Sequence, residues 1–229
     1  MHQDAKGDSG VLRISGDTKA TVKVGEFSRR GKSRLDVEAA DHDFKSEGNL
    51  TPAGLFLPEH DELYIAMVQS KVTSDCIVDL LDEFWTNNKV RFPEVHTLLL
   101  NQDNGPECHS RRTQFINRIV GFVDKHAVNV RLAYYPPYHS KYNPIERCWG
   151  ALENYWSVAL LDTVDAVVNF AGGMRWKDKH PTVELVTKTY ETGVRLAQKA
   201  MRALESRLQR VPGLEKWFVD IRPMQGDAT

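Results

Sequence analysis

The chain has 229 residues, 41% of them hydrophobic, which is enough for one sizeable domain with an appendage. Thirty Lys and Arg against 31 Asp and Glu leave a net charge of −1, so the basic excess often found in phosphate-neutralising proteins is missing overall. No run approaches the roughly 18 apolar residues of a membrane span, and three cysteines without paired or zinc-ligand spacing exclude a disulfide framework and fit packing residues in a reducing cytoplasm.

Residues 1–10 read as a polar, acidic, disordered lead rather than a signal peptide. Val11–Ser15 and Ala20–Val24 alternate as half-buried strands do. Residues 28–52 are rich in charge, Gly and Ser without periodicity and predict a long loop. Strands are predicted near Gly54–Leu57 and Leu63–Val68. The pairs Cys76/Ile77, Leu80/Leu81 and Phe84/Trp85 recur every four residues and predict an amphipathic helix over Ser74–Trp85, capped by Thr73 or Ser74. A strand at Val95–Leu100, a turn at Asp103-Asn104-Gly105-Pro106-Glu107, a helix over Ser110–His126 with Phe115, Ile119, Phe122 and Val123 inward, and a strand at Val128–Ala133 follow. Strand, helix, strand implies parallel neighbours.

Asn143 is a good N-cap, Pro144 suits the first helical position, and Ile145, Trp149, Leu152 and Trp156 form an apolar stripe that assigns both tryptophans to the core. A helix over Thr163–Ala171, a loop at Gly172 and Gly173, and a long helix over Tyr190–Arg210 complete the reading. Val194, Ala197, Met201, Leu204, Leu208 and Val211 recur in steps of three and four along that last helix, which would dock on the core or form a dimer seam. The class is α/β, with one domain over 11–160 and a helical C-terminal extension over 161–229 packed on it.

Two acids stand out. Asp103 ends an apolar run and precedes a Gly-Pro turn, where an open α/β sheet presents ligand groups. Glu146, 43 positions later, falls on the first turn of a capped helix after the loop Tyr134-Tyr135-Pro136-Pro137-Tyr138. Each also has a bland explanation: turn chemistry for Asp103, and for Glu146 a capping box closed onto Asn143. His109, His139, Ser140 and Lys141 flank the acids and can contact phosphates, or simply line a polar loop. Tyr134, Tyr135 and Tyr138 can stack on bases or pack the loop. Basic groups at Arg29-Arg30-Lys32-Arg34, Arg111-Arg112 and Lys177-Lys179-His180 suit phosphates or a solvated face.

With DNGPE at 103–107 and RLAYYPPYHSKYNPIERCWG at 131–150, the chain resembles the insertion-sequence DDE transposases from about Val11 to about Ile221. The resemblance implies an RNase H-like mixed sheet flanked by helices, and Asp17, Asp103 and Glu146 as catalytic, metal-holding acids for two Mg2+ or Mn2+ ions. It also implies DNA partners, both element ends and target, and work as a homodimer or larger assembly on paired ends; among the basic residues, Arg111, Arg112, His139 and Lys141 are the candidate DNA contacts. Relatives of this kind carry a helix-turn-helix region ahead of the core, which the resemblance leads us to expect as missing here. Cys108 stands where Asn is usual and Gly16 where an apolar residue is usual. Read without the resemblance, Asp17 also suits a hairpin turn, and Asp36, Asp41 and Asp43 compete as the first acid. The alternatives to an active transposase are an inactive remnant serving as a DNA or protein interaction module, and a metal-dependent nuclease or phosphatase outside transposition.

Overall fold

A computed structural model describes residues 8–25, 48–136, 140–157 and 159–224. Two compact units form from interleaved stretches of chain: the first takes the chain up to Gly16, Thr73–Asn143 and the chain from Glu191 onward, and the second takes Asp17–Val72 and Pro144–Tyr190.

In the first unit, β1 (Val11–Thr18, which passes at Asp17 into the second unit) runs parallel to β5 (Thr97–Asp103), and β5 runs parallel to β6 (Asn129–Tyr135). The crossover between them is α2 (Thr113–His126), as the strand-helix-strand pattern predicts. Leu98, Leu100, Val130 and Leu132 are buried, as are Phe115, Ile119, Phe122 and Val123 of α2. The helix α1 (Ser74–Asn88) is capped by Thr73, whose hydroxyl accepts from the Cys76 amide. A ladder of charge joins α1 to α2: Arg118 reaches Asp75 at 2.8 Å and Asp79 at 2.5 Å, and Lys125 reaches Asp82 at 2.6 Å.

In the second unit, β3 (Gly48–Leu57) and β4 (Glu62–Val68) form an antiparallel hairpin; β2 (Val22–Val24) pairs antiparallel with β3, and β7 (Thr182–Val186) runs parallel to β4. Two helices, α3 (Ile145–Trp156) and α4 (Val164–Gly173), supply its core: Ile145, Cys148, Trp149, Leu152 and Trp156 join Leu50, Phe56, Ile65 and Met67, with Val167 and Ala171 behind them. The loop expected over 28–52 therefore ends sooner, because residues 48–52 already belong to β3; residues 26–47, including Asp36, Asp41, Asp43 and the basic run at 29–34, lie outside the described residues.

The C-terminal third departs from the expected helical extension. In place of a helix over 190–210 there is only α5 (Gln198–Glu205), followed by β8 (Leu208–Arg210) and β9 (Phe218–Ile221), which pair antiparallel with each other while β9 pairs with β6. Gly193 sits at φ 75°, outside helical space, and no side chain caps the start of α5. Backbone groups on β6 and β9 need ladder partners, so Leu208 is buried in a strand although its spacing suits a helix. Nor does the segment form one body on a single core: α4 and β7 belong to the second unit, and α5, β8 and β9 to the first.

Candidate active site

Asp103 closes β5, after Leu98, Leu99, Leu100, Asn101 and Gln102, all buried. Its carboxylate is half-buried and its surroundings are tight. A Cβ placed on Gly105 would lie 3.2 Å from Asp103 Oδ1, and Cys108 Sγ stands 3.4 Å from the Asp103 carbonyl and 3.9 Å from Oδ1. Cys108, the departure from the usual motif, is buried, and its own carbonyl accepts a 2.6 Å bond from the Tyr134 hydroxyl. Glu107, the last residue of the turn, does something different from Asp103. Its Oε2 accepts from the Ser74 amide and hydroxyl, and Arg112 Nη2 approaches it at 3.2 Å, so this acid holds the start of α1.

Asp17 lies within β1, so the hairpin-turn reading of Gly16-Asp17-Thr18-Lys19 does not hold; the strand ends only at Thr18. Asp17 Oδ2 accepts a 2.9 Å hydrogen bond from Trp149 Nε1. Glu146 occupies the first turn of α3, three residues before Trp149, and is half-buried. One helix of the second unit thus carries one candidate acid and the donor that fixes another. Lys19 and Glu153 add an ion pair at 2.8 Å in the same unit.

Asn143 is not the cap that its position before Pro144 predicts. Its side chain turns to β1: Ser15 Oγ donates to Asn143 Oδ1, and Asn143 Nδ2 donates to the Gly16 carbonyl at 3.1 Å, with Asn143 and Ser15 both buried. Pro144, at φ −54° and ψ −33°, flanks the helix without any side-chain cap bond. The capping box expected between Asn143 and Glu146 therefore lacks its first half.

The other candidates separate by their partners. Arg112 pairs with Glu107 and reaches Ser74 Oγ, with its side chain 14% exposed. Arg111 is exposed, and Lys141 is exposed with its ammonium 5.3 Å from the centre of the Tyr142 ring. Burial, followed by the positive charge of Arg112, pushes the His109 imidazole down, and its Nδ1 accepts from the Arg111 amide. Tyr134 and Tyr135 are buried and cannot stack on a base; Tyr135 receives a 3.5 Å contact from Arg13. Lys177 and Lys179 pair with Asp61 and Glu62. His139 and Tyr138 lie outside the described residues. Two residues escaped the sequence reading: Trp149, which was assigned only to packing, and Tyr142, an exposed aromatic beside Lys141. A buried tryptophan three positions after a candidate acid was the available signal for the first.

The donor chemistry of Asp17, Asp103 and Glu146 is carboxylate oxygen, which suits hard cations such as Mg2+ and Mn2+. Among the described residues no group of three or more His, Cys, Asp or Glu side chains is already drawn together as a ligand set. No described helix is long and apolar enough to cross a membrane.

The mixed α/β architecture, a sheet flanked by helices, is the RNase H-like fold. The profile of the family described as the Rhodopirellula transposase DDE domain matches residues 2–223, and the chain belongs to that family. Among solved structures, the fold is similar to Mos1 transposase in its paired-end complex with the left transposon end, with a TM-score of 0.52 and 12% identity over 74% of this chain and 48% of that one. The chain thus spans about half the length of that structure. No curated protein matches the sequence.

Proposed function

We propose that this chain is the catalytic domain of a transposase that cuts DNA at the ends of a mobile element and joins the freed ends to target DNA, acting in the cytoplasm, on paired ends, as a homodimer. Asp17, Asp103 and Glu146 are the acids that would hold two Mg2+ or Mn2+ ions. Bound there, such ions supply Lewis acidity and lower the pKa of water.

The observation that carries this reading is the bond from Trp149 to Asp17, because it links the first acid to the helix that bears Glu146. The register of β1 and β5 adds support: Ser15 and Asn101 form their last pair, and each stands two positions before a candidate acid. The protein's own part is to hold carboxylates in fixed directions and to present phosphate-binding cations, for which Arg111 and Lys141 have the exposure. The reaction consists of two in-line displacements at phosphorus. Water first breaks the strand and leaves a 3′-hydroxyl, and that hydroxyl then attacks a target phosphate and expels a second 3′-oxygen.

The test is Mn2+ titration by calorimetry on the wild type and on Asp17→Asn, Asp103→Asn and Glu146→Gln, each checked for folding by circular dichroism, followed by nicking and joining assays on plasmid DNA. Binding lost in all three folded variants, with metal-dependent cleavage and joining in the wild type, is the expected result. Cleavage that survives Asp103→Asn and Glu146→Gln overturns the assignment, and cleavage without joining makes the chain a nuclease.

A further inference from the structure

We infer that Trp149 is a positioning residue for Asp17, and that Gly54 makes the seat from which it acts; the inference rests on the reading of Asp17 as a metal-holding acid. Trp149 is 3% exposed, and its only polar atom points its proton at Asp17 Oδ2 over 2.9 Å. A bond of this kind fixes one carboxylate oxygen without bringing a positive charge, so the acid keeps its negative charge for a cation. Lysine or arginine in the same place would compete with the cation for that charge. Donors behind a ligating carboxylate set its direction, and their loss typically weakens metal affinity by about 10–100-fold.

The indole reaches this position because β3 has no side chain at residue 54. A Cβ there would stand 2.6 Å from Trp149 Cη2, 2.8 Å from Trp149 Cζ2 and 2.8 Å from Ile145 Cδ1, closer than carbon atoms tolerate. Ile145 Cδ1 is the end of a flexible side chain and can turn aside, but the Trp149 ring cannot bend and must shift as a whole. Gly54 therefore sets how closely α3 approaches β3, and through Trp149 it sets where Asp17 Oδ2 is held. Because Glu146 lies one turn before Trp149 on the same helix, a single packing contact positions two candidate acids. A buried tryptophan N–H usually finds an acceptor, so the competing account is that Asp17 merely satisfies the indole.

The experiment compares Mn2+ binding by calorimetry in the whole chain for wild type, Trp149→Phe, Gly54→Ala and Asp17→Asn, with circular dichroism for folding. Trp149→Phe keeps an aromatic ring in the core and removes the donor. The expected result is binding in the wild type, loss in Asp17→Asn, and affinity weakened about tenfold or more in folded Trp149→Phe and Gly54→Ala. Equal affinity in wild type and folded Trp149→Phe overturns the inference and leaves the reading of Asp17 standing. No binding by the wild type, or undiminished binding by Asp17→Asn, overturns that reading and the inference with it. A second measurement covers a Trp149→Phe chain that does not fold: among the five tryptophan indole N–H signals in nitrogen-15 spectra, Asp17→Asn should move that of Trp149, and five unmoved signals overturn the inference.

Discussion

Ser15 and Asn143, 128 positions apart, share a buried hydrogen bond in which the serine hydroxyl donates to the asparagine carbonyl oxygen. The same asparagine donates to the Gly16 carbonyl. One amide therefore fastens the last residues of β1 before Asp17 to the chain that leads into α3. Removing it takes a hydrogen bond from a buried hydroxyl and another from a buried carbonyl, and a buried polar group left unsatisfied costs about 1–3 kcal/mol. Asn143→Ala is expected to lower unfolding free energy by at least about 1 kcal/mol in urea titration. A change below about 0.5 kcal/mol, the range of a surface substitution, would mean that the amide does not hold β1.

Gly105 presses on the second acid. A methyl group there would stand 3.2 Å from Asp103 Oδ1, so Gly105→Ala displaces the carboxylate by a few tenths of an ångström while the strand beneath it stays in place. The expected outcome is Mn2+ affinity weakened about tenfold with an unchanged circular dichroism spectrum. Unchanged affinity would count against Asp103 as a ligand.

Glu107 lies in the same five-residue turn as Asp103, yet its contacts are with Ser74 and Arg112. Both side chains of the ion pair keep some solvent access, at 14% for Arg112 and 33% for Glu107, which screens the charge. Glu107→Gln should cost about 1 kcal/mol of stability and leave Mn2+ affinity as in the wild type. Lost metal binding in a folded Glu107→Gln chain would move the metal site toward Glu107.

The helix pair α1 and α2 makes the first unit sensitive to acid. Burial alone would raise the Asp82 carboxyl, but hydrogen bonds and charge from Lys125 and His126 outweigh it and hold the group below its ordinary value of 3.8. Arg207, against some opposing burial, likewise holds Asp124 low. A carboxyl depressed in the folded state contributes stability that is fully present above its unfolded pKa and is lost as pH falls through its folded pKa. Asp82→Asn should therefore be less stable than wild type at pH 7, and the gap should close as pH falls below about 3.8. Urea titrations at several pH values read this directly, and a gap that stays constant down to pH 2 would assign the effect to packing.

Local pattern determined much of this protein. The apolar run Leu98–Leu100, the crossover helix with Phe115, Ile119, Phe122 and Val123 inward, and the stripe Ile145, Trp149, Leu152, Trp156 each follow from the local pattern of one element, and such a pattern survives in sequence. The positions of the candidate acids Asp103 and Glu146, at the end of a strand and the start of a helix, were legible for the same reason. Tertiary structure alone decided the rest. Asn143 reads as a cap by its neighbours and becomes a clasp on β1, because a buried hydroxyl and carbonyl from residues 15 and 16 reach it first. Trp149 reads as core and also holds Asp17. Leu208 reads as part of a helical seam and becomes a strand residue, because β6 offers an edge on which β9, and then β8, pair. In each case the choice depends on a hydrogen-bond partner supplied from far along the chain, and unsatisfied buried polar groups cost more than a local propensity can return.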